Sequence, residues 1–244
     1  MTKVKKSSIL LTCLLLALLC GLLFYIDGNA SKYIIRITRL CAINIVLALS
    51  MNLVNGFTGI FSLGHAGFMA IGAYTVALLT IPVAKKETIF MLEPLIAPLN
   101  TLTLPFGVAL IIGGLLAAAL AFLIGLPCLR LRGDYLAIAT LGFSEIIRIV
   151  ITNAQSLTNG AQGLKSIPAT ANIWWCYGIA LATIVFIALL ISSSYGRAFK
   201  AIREDEIAAE SMGVSLLRHK MLSFMLSAFL AAVGGGLFAS SIGT

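Results

Sequence analysis

Charged side chains are scarce in this sequence. Asp, Glu, Lys and Arg make up 11% of its 244 residues, whereas an average soluble domain carries about 25%. Hydrophobic residues reach 60%, and the mean hydropathy is +1.05. This composition excludes an ordinary water-soluble globule, and it also excludes a disordered, collagen-like or coiled-coil chain. Few residues remain for enzyme chemistry in contact with water.

The motifs of nucleotide and hydrolytic chemistry are also missing from the sequence. It has no Gly-Lys dipeptide and therefore no phosphate-binding loop, no His-Glu-x-x-His and no Gly-x-Ser-x-Gly. None of its five cysteines forms a Cys-x-x-Cys pair, so neither a zinc site nor a disulfide framework is indicated. We therefore expect no catalytic residue, no metal and no cofactor. If the protein uses ATP, another chain must hydrolyse it.

Long apolar segments dominate what the sequence does contain. Crossing a bilayer takes about 20 apolar residues, and we predict an all-α polytopic membrane protein with a single transmembrane domain over residues 1–244. No small-x-small cleavage site directly follows the first segment, so we interpret it as an uncleaved helix. The seven predicted spans are 8–26, 34–55, 62–84, 105–127, 135–153, 172–192 and 221–243. A polar insert at 193–220 separates the last two.

Basic residues predict the orientation of these spans. Cytoplasmic loops carry an excess of Lys and Arg, so the net charge of +8 does not require a nucleic-acid partner. We expect residues 1–7, 128–134 and 193–220 inside, and 85–104 and 154–171 outside. The inside residues are Lys3, Lys5, Lys6, Arg130, Arg132, Arg197, Lys200, Arg203, Arg218 and Lys220. The outside residues are Lys32, Arg36, Arg39, Lys85, Lys86 and Lys165. The N-terminus is therefore predicted to be cytoplasmic.

A glycine-rich stretch joins the second and third spans. Glycines occur at 56, 59, 64, 67 and 72, around a single histidine, His65. Small residues at these positions favour close helix packing. The alternative is an interrupted helix whose free backbone groups line a cavity. His65 has no acidic residue or second histidine near it in sequence, and packing or hydrogen bonding explains it better than a titrating role.

Polar residues follow one face of the second span. Asn44, Ala48, Asn52 and Asn55 are spaced at helical intervals. Amides that face lipid are costly, so we expect this face to look into the helix bundle. Hydrogen bonding between helices and contact with a solute both fit the pattern.

Two ionisable residues lie near the middle of the fifth span. Glu145 and Arg148 are three residues apart and share a helix face. Thr140 and Ser144 lie on adjoining turns. Because a lone charge at mid-membrane costs at least ~2.5–3.5 kcal/mol, we expect the two residues to pair within the bundle. The pair could serve transport or simply hold helices together.

The polar insert at 193–220 predicts one or two short cytoplasmic helices. Treated as one helix, Phe199, Ile202, Ala209 and Met212 share an arc, and Gly213 is typical of a helix stop. An amphipathic helix lying on the membrane is one interpretation. Its mixed charge favours docking to a protein partner instead.

Several segments resemble the permeases of branched-chain amino acid ABC transporters. They are Ser-Leu-Gly-His-Ala-Gly-Phe-Met-Ala-Ile-Gly-Ala-Tyr at 62–74, Arg-Leu-Arg-Gly-Asp-Tyr-Leu-Ala-Ile-Ala-Thr-Leu-Gly-Phe-Ser-Glu-Ile-Ile-Arg at 130–148, Thr-Asn-Gly-Ala-Gln-Gly-Leu at 158–164, and the insert at 196–214. In the insert, Ala208, Ala209 and Gly213 match the Ala-Ala-x-x-x-Gly part of the importer coupling loop, although Ile207 stands where that motif has Glu. The combination is similar to the LivM/BraE-type subunit rather than to its LivH-type partner.

The resemblance implies an importer in a bacterial-type cytoplasmic membrane. It implies a second permease subunit of LivH type, two cytoplasmic ABC ATPases, and an extracytoplasmic binding protein that delivers leucine, isoleucine or valine. Members of the family usually continue with further helices, so we expect the natural chain to extend beyond Thr244. A urea or short-chain amide permease and a stand-alone secondary carrier coupled through Glu145 remain alternatives.

The candidate residues fall into two sets. Those proposed for the translocation path are Asn44, Asn52, Asn55, Gly64, His65, Gly67, Thr140, Glu145 and Arg148. Those that the resemblance suggests for coupling to the ATPase are Gly196, Arg197, Arg203, Ala208, Ala209 and Gly213.

Overall fold

The computed structural model describes residues 6–90, 95, 99–131 and 133–243, without the side chains of 6–13, 15, 16 and 134. Within these residues the chain is helical and has no strand, which confirms the predicted all-α fold. The helices are α1 (Lys6–Asn29), α2 (Lys32–Asn52), α3 (His65–Thr80), α4 (Val83–Ile89), α5 (Phe106–Cys128), α6 (Asp134–Asn153), α7 (Gln155–Thr158), α8 (Ile173–Ser192), α9 (Ser194–Glu204), α10 (Glu206–Ser211) and α11 (Leu216–Ile242).

Five helical segments among the described residues are long and apolar enough to cross a membrane. They are Lys32–Phe57, Phe106–Cys128, Tyr135–Asn153, Ile173–Ser192 and Leu216–Ile242. Each overlaps a predicted span. The polytopic membrane fold is therefore supported by helix length as well as by composition.

The third predicted span, 62–84, is shorter in the structure and ends in a sharp bend. Helix α3 stops at Thr80, and α4 is bent by 119° relative to it. The two helices make a sixth membrane-crossing segment only if they are counted as one span. Ile81 and Pro82 between them are extended. Proline lacks a backbone N–H and disfavours a helical conformation in the residue before it, which accounts for the break.

The first predicted span, 8–26, overlaps α1. Some residues that contribute to the predicted orientation lie outside the described part of the chain, namely Lys3, Lys5, the side chain of Lys6, and Arg132. The same holds for Pro94 and Pro98 of the outer loop. The cytoplasmic N-terminus stays a prediction.

Helix α11 forms the centre of the bundle and packs against α2, α3 and α5. Its contact with α3 is made backbone to backbone. A Cβ atom added to Gly72 would lie 2.0 Å from the carbonyl oxygen of Ala232, and one added to Gly235 would lie 2.0 Å from that of Met69. Small residues allow this approach, as the packing interpretation of the glycines expects.

The loops gather at two opposite ends of the bundle. At one end, the α2–α3 junction contacts the start of α6 through a hydrogen bond from the Leu63 N–H to Thr140 Oγ1 (3.1 Å), and it also contacts α9. At the other end, Lys86 donates hydrogen bonds to the carbonyl oxygens of Leu99 and Leu102, both at 2.7 Å. The polar insert and the α2–α3 junction therefore share one end.

Candidate translocation and coupling sites

The α2–α3 junction is an interrupted helix. Helix α2 passes into a π-helical turn over Leu53–Phe57, and residues 58–64 are irregular before α3 begins. The Asn55 side-chain oxygen accepts a hydrogen bond from the Ser62 N–H (3.2 Å), and Gly59 has a positive φ of 73°. Asn55 thus holds the irregular segment in place by bonding its backbone. The irregular backbone is therefore held by a hydrogen bond to a side chain of the same protein.

Close packing governs the beginning of α3. A Cβ atom on Gly64 would lie 3.0 Å from the Thr140 carbonyl oxygen, and one on Gly67 would lie 3.2 Å from the Ser144 Cα. The void left there by α3 and α6, which Ile124 of α5 and Phe224 of α11 also line, measures only 10 Å³. This is about the smallest space that admits one water. Gly64, Gly67 and Thr140 therefore come together in a tightly packed contact of α3 with α6.

His65 connects three helices. Its Nε2 lies 2.8 Å from Ser227 Oγ, and that hydroxyl donates to the Ser50 carbonyl oxygen at 2.7 Å. Because the single hydroxyl hydrogen of Ser227 is used in this way, Nε2 of His65 must be the donor to Ser227. Nδ1 is buried and has no hydrogen-bond partner among the described residues. His65 thus joins α3 to α2 and α11, as the hydrogen-bonding interpretation expects.

The asparagine face of α2 is exposed in this chain. Asn44, Ala48 and Asn52 all lie on the surface. The expectation that this face is covered by the chain's own bundle is wrong, because α2 turns residues such as Ala42, Ile43 and Val46 toward its neighbours instead. Amides that face lipid are costly, so we expect a polar contact from outside the described residues to cover this face.

Glu145 and Arg148 form the predicted ion pair, and it is on the surface. A guanidinium N–H of Arg148 donates to Glu145 Oε2 at 3.1 Å, and the two side chains are 73% (Arg148) and 53% (Glu145) exposed. The pairing is confirmed, whereas burial inside this chain's bundle is wrong. Helix α6 uses another arc, which includes Thr140 and Ser144, to pack on α3.

A groove of 260 Å³ runs beside this ion pair, between α3 and α6. Its polar lining comes from Tyr74, Ser144, Glu145, Arg148 and Thr152. The remaining lining is small or apolar and consists of Ala66, Gly67, Ala70 and Ile151. Three of the predicted path residues, Gly67, Glu145 and Arg148, are therefore found at one groove.

A larger cavity of 420 Å³ lies at the end opposite the insert. The loop at 162–167 covers it, with Gln162 and Lys165 among its polar residues and Phe238 of α11 among its apolar ones. Tyr74 lines both this cavity and the groove. Sequence reasoning missed Tyr74, although it lies seven residues after Gly67 and therefore on the same helix face.

Helix α9 packs directly against the glycine junction. Its buried residues are Gly196, Phe199 and Ile202, and a Cβ atom on Gly196 would lie 2.3 Å from the Ile191 carbonyl oxygen. A guanidinium N–H of Arg203 donates to the Gly56 carbonyl oxygen at 3.0 Å. Arg197 is exposed. Arg203 therefore connects the insert to the junction.

The insert is two helices rather than one. Asp205 ends α9 and caps α10, because its carboxylate accepts hydrogen bonds from the N–H groups of Ile207 (2.8 Å) and Ala208 (3.1 Å). Gly213 stops the segment with a φ of 84°, as predicted. The ion pair of Lys220 with Glu206 (2.6 Å) ties α10 to α11.

This break changes which residues are available for docking. Ala209 is buried, and its role in coupling to an ATPase stays a prediction. Met212 is 85% exposed, so Ala209 and Met212 do not share one face as the treatment of the insert as a single helix expects. Ile207 is 70% exposed, and Ala208 is exposed beside it. We call Ile207, Ala208 and Met212 the insert tip.

Residues 33–244 match the family described as branched-chain amino acid transport system / permease component. The chain belongs to this family. The match begins at the second residue of α2, and it covers all the described helices of this permease-family protein that follow.

Curated relatives support the same assignment. The chain is 38% identical to the high-affinity branched-chain amino acid transport system permease protein LivM of Escherichia coli strain K12, over 87% of this chain and 54% of that protein. The LivM protein of Salmonella typhimurium is 36% identical over the same shares. A probable LivM permease of Methanocaldococcus jannaschii is 24% identical over 79% of this chain and 63% of the relative. The chain spans about half the length of the two bacterial relatives. No solved structure matches it significantly.

Proposed function

We propose that this chain forms part of the transmembrane permease of an ABC importer that carries leucine, isoleucine and valine across the bacterial cytoplasmic membrane. The observation that carries the proposal is its 38% identity to a branched-chain amino acid permease over 87% of the chain. The chain supplies a path through the membrane and no covalent chemistry.

The proposed partners are a second permease subunit of LivH type, two cytoplasmic ATPases and an extracytoplasmic binding protein. The exposed polar faces of α2 and α6 support a second membrane subunit. Asn44 and Asn52 on one helix, and Glu145 and Arg148 on the other, would be costly against lipid. Another subunit, or the aqueous path that two subunits enclose, provides the polar contact they need.

The proposed path follows α3. Solute released outside would enter the cavity under the loop at 162–167, pass Tyr74 and reach the groove beside Glu145 and Arg148. The packed contact of Gly64 and Gly67 with α6 closes the path toward the insert. Asn55, His65 and Thr140 hold this closed end together through the hydrogen bonds described above. Transport then requires α3 and α6 to separate there.

The insert tip is proposed to dock on an ATPase. Ile207 and Met212 project apolar surface away from the chain, and such surface on a short exposed segment is typical of a binding site. Movement of the tip would reach the junction through α9 and Arg203, because Arg203 bonds Gly56. Gly196 and Gly213 allow the tight turns on either side.

Uptake by reconstituted vesicles tests the function. The complete gene product is assembled with its genomic neighbours, namely the second permease, the ATPases and the binding protein, and uptake of radiolabelled leucine, urea and acetamide is measured. ATP-dependent uptake of leucine alone is the expected result. Uptake of urea or acetamide instead of leucine would mean that the permease carries amides rather than branched-chain amino acids. Uptake by the permease alone, driven by a proton gradient, would mean that the protein is a secondary carrier and not part of an ABC importer.

Neighbouring alanines of the insert provide a matched test of docking. Ala208→Glu places a charge on the exposed tip, so we expect the variant to fold and to lose ATPase recovery with tagged permease. Ala209→Glu places the same charge in a buried position, so we expect reduced permease levels. ATPase recovery that is normal with Ala208→Glu would remove the docking role of the tip.

A further inference from the structure

The ion pair beside the α3–α6 groove has unused bonding capacity. One guanidinium N–H of Arg148 is bonded to Glu145 Oε2, whereas a guanidinium carries five N–H donors and a carboxylate has two acceptor oxygens. Both side chains are also more than half exposed. The pair can therefore bind another anionic and another cationic group at the same time without being broken.

The depth of the pair favours a solute with no net charge. Glu145 lies near the middle of α6, which runs from Asp134 to Asn153. A lone charge is costly at that depth, whereas the pair as a whole is neutral. A zwitterion is neutral too. Its carboxylate can lie beside Arg148 while its ammonium lies beside Glu145. The assembled group of four charges then has no net charge.

The rest of the groove suits a small apolar side chain. Gly67 and Ala70 on α3 and Ile151 on α6 line it without polar atoms in their side chains. Its 260 Å³ is below the about 300–1,000 Å³ of pockets for drug-sized ligands. This volume fits a solute of amino-acid size.

We propose that the α3–α6 groove is a binding station for zwitterionic amino acids, in which Arg148 binds the α-carboxylate and Glu145 the α-ammonium. The apolar side chain of the solute lies against Ala70 and Ile151. The station is reached from the outer cavity past Tyr74, which lines both spaces. This inference rests on the proposed import function and identifies a site where the solute binds on its way through the membrane.

Photolabelling tests the station in the assembled transporter. A diazirine analogue of leucine, which keeps both charged groups, is supplied through the binding protein, and the labelled peptides are mapped. We expect label on the segments 66–74 and 144–152, and we expect excess leucine to abolish it. Two analogues that each lack one charge, 3-methylbutylamine and 4-methylpentanoate, should leave it in place. Label confined to other segments in a transporter that imports leucine overturns the proposal.

Two arginines on spanning helices provide a matched pair of variants. Arg148→Gln removes a charge-assisted hydrogen bond to the solute, so we expect labelling and uptake to fall by about tenfold or more. Arg36→Gln makes the same change at an exposed position of α2 that does not line the groove, and it should stay near wild type. Equal uptake by the two variants overturns the proposal.

A double variant covers the case in which Arg148→Gln fails to assemble. Glu145→Gln combined with Arg148→Gln leaves no lone charge, so we expect it to assemble and yet to remain unlabelled. Labelling of this variant at the wild-type level overturns the station. A wild-type transporter that imports no branched-chain amino acid removes the proposed function and this proposal with it, whereas normal import with label elsewhere removes only the station.

Discussion

A guanidinium N–H of Arg203 donates a hydrogen bond to the carbonyl oxygen of Gly56, 147 residues earlier in the chain, at 3.0 Å. The side chain also lies so close to Gly59 that a Cβ atom there would be 2.8 Å from Arg203 Cγ. One residue of the polar insert thus contacts the segment between α2 and α3 at two points, Gly56 and Gly59. The coupling mechanism proposed above depends on this contact.

Arg203→Met should uncouple ATP hydrolysis from transport. The variant keeps an unbranched side chain against Gly59 and loses the hydrogen bond to Gly56, so we expect normal membrane levels with uptake reduced several-fold. Lys200→Met removes an exposed cation from the same helix and serves as the control. The ratio of solute imported to ATP hydrolysed is the measurement, and an unchanged ratio in Arg203→Met would contradict the coupling route.

Gly59→Ala tests the contact between Arg203 and Gly59 by changing the glycine. Gly59 has a φ of 73°, in the left-handed region where a side chain is strained, at a cost of about 1–2 kcal/mol. The added Cβ would also push on Arg203. We expect lower thermal stability of the purified permease together with reduced uptake, and full activity would show that the junction tolerates movement of α9.

Gly72→Ala should weaken the centre of the bundle. Its Cβ atom would meet the Ala232 carbonyl oxygen at 2.0 Å, and backbone cannot yield as a side chain can. We expect a loss of about 1–3 kcal/mol in the free energy of unfolding. Gly178→Ala is the matched control, because nothing lies within 4 Å of that position. Thermal unfolding in detergent distinguishes them, and equal melting temperatures would contradict direct backbone packing of α3 on α11.

Neutralising the Glu145–Arg148 pair should separate assembly from transport. Either single change, Glu145→Gln or Arg148→Gln, leaves a lone charge near mid-membrane at a cost of about 2.5–3.5 kcal/mol, and permease levels should fall. The double variant should recover its level without recovering uptake. Membrane abundance and uptake are measured in parallel. Strictly additive losses of abundance would mean that the two residues do not support each other.

Cysteine labelling in intact cells tests the orientation. Lys85 is exposed and Lys86 is buried, so position 85 is the suitable probe of the outer loop, with position 200 as the inner one. In a background without the native cysteines, a membrane-impermeant thiol reagent should label Lys85→Cys and leave Lys200→Cys unlabelled. Labelling of position 200 alone would reverse the predicted topology.

Local sequence patterns predicted the elements that depend on local physics. Apolar runs placed the helices, and the three-residue spacing of Glu145 and Arg148 predicted their bond. Gly213 was predicted to end its helix because a left-handed residue is most often glycine. Pro82 also signalled the end of α3, although the predicted span ran past it.

Long-range contacts could not be predicted in this way. The bonds of Arg203 to Gly56 and of His65 to Ser227 join residues more than a hundred positions apart, and no local pattern specifies such a pairing. The exposure of Asn44 and Asn52 was missed for a different reason. A polar stripe shows that a face avoids lipid, but it does not show whether the covering surface belongs to the same chain.

The position of α11 also constrains how the protein is made. This helix comes after α2, α3 and α5 in the chain and yet fills the space between them. At about 5–20 residues per second, roughly ten seconds to half a minute of synthesis separates α3 from α11. During that interval α5 is already available to pack on α3, whereas the backbone contact of Gly72 with Ala232 of α11 is not yet made. The early helices must therefore be held near the insertion machinery, or shielded by lipid, until the last of these four helices arrives and the bundle closes around it.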